Sequence, residues 1–223
     1  MLDLGKSDVL FDLCVQREYL VGNGKPPCIN AAEVSQNTKH LMALARWAKL
    51  PVLSCVDVHR PRDIGRDFVH ADEGSSPLTH MASFTVLPDH TIVDSDNFLC
   101  VPLDVLARHQ QAIFTKVHRD PFTNAKLDRL LTEMPARRFV VFGIPLEGSL
   151  RLLVLGLLRR NRRVTVVADA CGHWNDDEAT MVLRQLDVKG AAVLNTEQFV
   201  QESLARVAAR RPSPRVRNRR SVA

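Results

Sequence analysis

Apolar runs of strand length alternate with longer stretches of helical period along most of this chain, and that alternation predicts a parallel sheet covered by helices. Residues 8–15 read as a buried strand, followed by a loop containing Gly22, Gly24, Pro26 and Pro27. Over 31–50 the apolar positions Val34, Leu41, Leu44, Ala45 and Trp47 fall mostly at helical spacing, which predicts a helix leading into a second strand at 51–56. The stretch from there to Gln110 is the least regular, interrupted by Pro61, Gly65, Gly74, Pro77, Pro88 and Pro102. A connection that long inside a compact domain is usually functional, so it is expected to help build a pocket. Further strands are expected at 111–117, 138–144, 163–168 and 191–194, and helices at 124–134, 148–161, 176–188 and 196–209. Within the second of these helices, 150–158 is apolar except for Arg151, which marks a helix buried on most sides or lying in a subunit interface. The expected fold is α/β: a three-layer, doubly wound domain over 1–209 with about six mainly parallel strands, assembled into a homo-oligomer.

Composition narrows the picture. With 223 residues and 45% apolar content, one domain can bury a sufficient core without disulfides or metal. No apolar run approaches the roughly 20 residues needed to span a bilayer, so no membrane association is expected. The polar start Asp3, Gly5, Lys6, Ser7, Asp8 lacks the pattern of an export signal. Cys14, Cys28, Cys55, Cys100 and Cys171 are odd in number and form no CxxC pair, which suits free thiols in a reducing cytoplasm.

The net charge of +5 is unevenly placed: without the six arginines at 210, 211, 215, 217, 219 and 220 the remainder carries −1. Pro212 and Pro214 break any helix there, so 210–223 is expected to be a flexible tail, a solvated end with at most a weak polyanion contact. Gly22, Asn23, Gly24, Lys25 lacks the spacing of a phosphate-binding loop and is set aside.

In an open parallel sheet, ligands bind beyond the carboxyl ends of the strands, where loops and helix N-termini converge. That rule selects Cys14 and Gln16 after strand one, Asp57 and His59 after strand two, Lys116 and His118 after strand three, and 144–149 after strand four. Ser149 falls in the first turn of the apolar helix, where backbone N–H groups and the helix dipole favour a developing anion.

These segments resemble the isochorismatase-like cysteine hydrolases, which include nicotinamidases and N-carbamoylsarcosine amidases. The resemblance rests on Phe11, Asp12, Leu13, Cys14, Val15, Gln16, Arg17, Glu18, Tyr19; on Lys116, Val117, His118, Arg119, Asp120, Pro121, Phe122; and on Gly143, Ile144, Pro145, Leu146, Glu147, Gly148, Ser149. The later segments 164–170, Glu178 with Ala179, and 190–196 also fit, so the likeness covers about 8–206. It implies an isochorismatase-like fold, an oligomer, and a catalytic Asp, Lys and Cys that land on Cys14, Lys116 and Ser149. Two of the three are changed.

The inherited mechanism, in which the Asp deprotonates the Cys for attack on an amide or similar carbonyl, cannot run with these residues. Three readings follow. A rearranged hydrolase would use Lys116, its pKa lowered by burial, to deprotonate Ser149, or Cys14 as a nucleophile activated by Lys116. A catalytically silent member would keep the pocket for an unidentified small molecule, or the fold for assembly. In the third, Asp12 replaces the missing base from the same sheet face as Cys14, but about 7 Å deeper. The resemblance also implies a cis peptide before the nucleophile, and Ile144–Pro145 offers the X–Pro bond at which cis is least costly.

Asp57 and His59 repeat the spacing of a nicotinamidase metal pair, yet His70, His80 and His90 lack the spacing of a third ligand. No metal and no cofactor are assigned. His118, Cys171 and His173 read as pocket-wall or hydrogen-bonded loop residues.

Overall fold

The computed structural model describes residues 4–22, 26–58, 76–93 and 100–210. In chain order the elements are β1 (Asp8–Leu13), α1 (Arg17–Val21), α2 (Ala31–Ala48), β2 (Val52–Asp57), β3 (His90–Ile92), α3 (Val105–Arg108), β4 (Gln111–Lys116), α4 (Ala125–Glu133), β5 (Arg138–Gly143), α5 (Arg151–Arg159), β6 (Val164–Cys171), α6 (Asp176–Val188), β7 (Ala192–Leu194) and α7 (Thr196–Arg210).

Among the described residues the sheet has seven strands in the order β3-β4-β2-β1-β5-β6-β7, all paired in parallel. About six were expected. The extra strand, β3, is an edge of three residues, His90, Thr91 and Ile92, inside the stretch the hydrophobic pattern left irregular. Three residues with one large apolar side chain carry no periodic signal, and pairing with β4 alone makes them a strand.

Every residue of β1, β2 and β4 is buried, as befits central parallel strands covered on both faces. On one face Leu10, Val52, Val140, Phe142 and Val167 pack with Leu41, Met42 and Ala45 of α2 and Phe199 of α7. On the other Phe11, Leu53, Phe114, Val141 and Val166 pack with Leu127 and Leu131 of α4, Leu153 and Leu157 of α5, and Val182 and Leu186 of α6. The expected buried helix is α5, preceded by a π-helical turn at Leu146–Leu150 that departs from helical geometry at Gly148.

The chain enters the sheet at its middle, runs outward through β2 to the edge strand β3, returns to fill the place between them with β4, and then crosses to β5 on the other side of β1. The strand order therefore reverses between β1 and β5, and the region beyond their carboxyl ends is where the switch-point rule places a ligand. No described helix is long and apolar enough to cross a membrane. The last helix runs through Arg210, and the expected tail beyond it lies outside the described residues.

Candidate active site

Parallel register puts the charged residues together. Asp57 and Lys116 close β2 and β4 as directly paired residues. Period-two alternation places both on the α4–α5–α6 face, below which Cys55 and Phe114 lie buried in the same apolar layer. Nζ of Lys116 pairs with Oδ1 of Asp57 and donates to Oγ of Ser149 at 3.1 Å and to the His118 carbonyl at 3.2 Å. The hydroxyl of Tyr19 donates to the other Asp57 oxygen at 3.0 Å, and Gln16 clamps the Asp57 backbone, accepting from its N–H at 2.7 Å and donating to its carbonyl at 3.3 Å. Lys116, Ser149, Asp57 and Gln16 are all buried.

Ser149 reaches Lys116 because the chain turns sharply after β5. Gly143 has φ +133°, and a side chain there would run into the Leu13 backbone, so β1 and β5 approach closely only with glycine at that point. The Ile144–Pro145 peptide is cis. Leu146 N–H then donates to Gly172 O at 2.8 Å, and Leu150 N–H to Pro145 O at 3.1 Å, fixing the turn that carries Ser149.

Cys14 follows β1 with a left-handed φ of 52°. The turn breaks the alternation of the strand. Cys14 joins Phe11 and Leu13 in the α4–α5–α6 layer, whereas Asp12 faces the α2 side and accepts from Ser54 Oγ at 3.3 Å. The expectation that Asp12 and Cys14 share a face is thus corrected. Asp12 sits in a core polar cluster with Ser54 and Gln111, whose side chain donates to Ser54 at 2.8 Å, and is no base for Ser149.

The electrostatics correct two further expectations. Burial opposes a charged Lys116, but a Cys14 thiolate whenever one forms, and the Asp57 carboxylate at all times, outweigh it and hold the ammonium above the ordinary lysine pKa. A lysine lowered enough to act as a resting base is not present. Burial also pushes the Cys14 thiol well above its ordinary range, Asp57 adds to the rise, and the opposing influence of Lys116 is too small to reverse it. At neutral pH Cys14 keeps its proton.

Asp57, assigned on its spacing to His59 as a potential metal ligand, is the carboxylate of the site. Its oxygens are taken by a hydroxyl and an ammonium, and a fixed cation against the carboxylate opposes a metal ion there. His59 and His70 lie outside the described residues. His80 pairs with Glu18 at 2.9 Å and His90 bonds the Leu87 carbonyl at 2.6 Å. Among the described residues no cluster of three or more metal-ligating side chains occurs. His118 contributes its carbonyl, Cys171 is buried with its thiol on Val167 O, and His173 pairs with Asp176.

A family model described as the isochorismatase domain matches residues 9–198. The chain belongs to the isochorismatase family. No curated protein matches its sequence. Solved structures that resemble it include an isochorismatase-like hydrolase from Alkaliphilus metalliredigens, at 15% identity and a TM-score of 0.65 over 88% of this chain and 98% of that one. A pyrazinamidase/nicotinamidase from Streptococcus mutans matches at 16% and 0.64 over 84% and 100%, and N-carbamoylsarcosine amidase from Thermoplasma acidophilum at 19% and 0.63 over 86% and 97%. At such identities the likeness establishes the isochorismatase-like fold, and the chemistry must be argued from the site.

Proposed function

We propose that this isochorismatase-family protein is a hydrolase of small amides or related C–N bonds in which Ser149 is the nucleophile, Lys116 the proton carrier and Asp57 the proton acceptor. The observation that carries the reading is the contact of one ammonium, Lys116, with both Ser149 and Asp57. The carboxylate lost from β1 is supplied by the neighbouring strand β2, and the line of carboxylate, lysine and nucleophile is kept. Support for an amide substrate comes from the structural relatives named as amidases.

In this reading Ser149 Oγ attacks the carbonyl carbon while its proton passes to Lys116 Nζ and a Lys116 proton passes to Asp57 Oδ1. The C–N bond then breaks, and the leaving nitrogen takes a proton back through Lys116. Water hydrolyses the acyl-serine and restores the site. Lys116 needs no lowered pKa, because it gives a proton as it receives one. Cys14 stays a neutral thiol that shapes the site. The reading includes self-association and a cytoplasmic setting, the latter supported by five free cysteines.

The test is turnover of a panel of small amides. Ser149→Ala should lower kcat/KM about a thousandfold or more and Asp57→Asn about a hundredfold or more. An equal loss in Cys14→Ala with Ser149→Ala unaffected would reassign the nucleophile. A second reading, a silent member that only binds its ligand, is favoured by the protonated Lys116 and Cys14. It predicts ligand-induced stabilisation with no turnover in any variant.

A further inference from the structure

The opposite end of the sheet carries a second concentration of charge. β5 and β6 begin there, about 20 Å from Lys116 and Ser149 at the strand rise per residue. A cavity of about 330 Å³ opens between their first residues and α7, walled by Arg137, Arg138, Arg163 and Arg206 together with Thr165 and Glu202. Two carboxylates belong to the cluster. Asp8, buried at the start of β1, pairs with Arg137 at 2.7 Å, Arg138 at 3.1 Å and Arg206 at 2.6 Å. Glu202 pairs with Arg138 at 2.8 Å and with Arg206.

Four guanidinium groups against two carboxylates leave two positive charges uncompensated. Arg163 is exposed, and its guanidinium engages no hydrogen bond or ion pair among the described residues. Arg206 shows the crowding: burial and then the adjacent Arg138 pull its pKa below the ordinary arginine value, despite Asp8 and Glu202. The two carboxylates also have a positioning effect. They hold Arg137, Arg138 and Arg206 in place, so an incoming anion meets cations that are already oriented.

We propose that this cavity binds a phosphate group, free or carried on a small organic ligand. A phosphate dianion matches the surplus of two charges, and its oxygens match the planar donor fork of arginine. The volume, at the lower end for small-molecule sites, holds a phosphate and a short organic portion but not a large one. Arg163 supplies the unengaged donors at the rim, and Arg138 and Arg206 the fixed ones. The site is independent of the hydrolase reading and stands or falls without it.

The experiment uses the full chain and measures the thermal midpoint and binding heats with inorganic phosphate, glycerol 3-phosphate and, as reference, sodium chloride at equal ionic strength. Both phosphates should raise the midpoint saturably above the chloride reference. Tighter binding of the ester assigns a phosphorylated metabolite, and equal binding assigns free phosphate. Arg163→Ala, which breaks no ion pair, should keep the wild-type midpoint in chloride and bind both phosphates about tenfold more weakly. The basic tail is identical in the two proteins, so it cancels from that comparison. No stabilisation beyond chloride, or equal stabilisation of wild type and Arg163→Ala, overturns the proposal.

Discussion

Asp12 and Lys116 are buried ionisable residues on opposite faces of the sheet, and the fold makes each hold its proton more tightly, for opposite reasons. Burial raises the Asp12 carboxyl from 3.8 to about 7, and its hydrogen bonds from Ser54, Thr85 and the Val15 backbone do not offset this. Between about pH 4 and 7 the folded chain keeps a proton that the unfolded chain has lost, so stability falls as pH rises through that window, by up to about 4 kcal/mol. Asp12→Asn should remove the decline, measured as the difference in urea unfolding free energy between variant and wild type at pH 4.5, 6 and 8. Lys116, raised instead by its charged neighbours against its burial, with the Asp57 carboxylate the one that is ionised at neutral pH, contributes stability that is present below the ordinary lysine pKa and lost only in strong alkali. Breaking the pair from either side is costly because a buried charge is left alone. Asp57→Asn or Lys116→Met should each destabilise by about 3–5 kcal/mol, with the double variant recovering most of that loss in equilibrium denaturation.

At the scale of elements, two glycines set how closely secondary structures meet. Gly143 closes β5 with a positive φ against the Leu13 backbone, and Gly156 in α5 lies against the ring of Phe122. Gly143→Ala faces backbone that cannot give way and should abolish folding or lower the thermal midpoint severely. Gly156→Ala gains up to about 1 kcal/mol of helix propensity but must displace a ring on which the Arg160 guanidinium also stacks at 3.9 Å. A net loss of stability, smaller than that of Gly143→Ala, is the expected result in thermal unfolding. The boundaries of these elements show where periodicity stops being informative. β1 ends at Leu13 and not at Val15 because Cys14 turns left-handed, and α5 starts at Arg151 because a π-helical turn carries Ser149. Both departures lie at the site, where local geometry serves the crevice and not the repeat.

For the whole molecule, the charge asymmetry makes its own prediction. Deleting 211–223 should leave the thermal midpoint unchanged and remove most retention on a sulfated polyanion column, because the remaining chain carries no net charge; unchanged retention would place the basic surface on the domain. The order of the long strands and helices, the buried character of the central strands and the strand-end positions of Lys116 and Asp57 were legible in the sequence, because burial on both faces imposes long apolar runs and the switch-point rule picks the residues after them, whereas the short α1, β3 and α3 were not. Spacing also pointed to Asp57, but toward His59. The sequence by itself determined an α/β chain of the isochorismatase kind, with Cys14, Lys116 and Ser149 at or just beyond its strand ends or in the turn that follows. Only the tertiary structure decided which carboxylate meets Lys116. Register between β2 and β4 sets Asp57 against Lys116 across 59 positions of sequence, and a single left-handed residue turns Cys14 away from the face of Asp12. Neither event leaves a local pattern, since pairing between distant strands and one backbone angle are settled by packing after the chain has closed on itself.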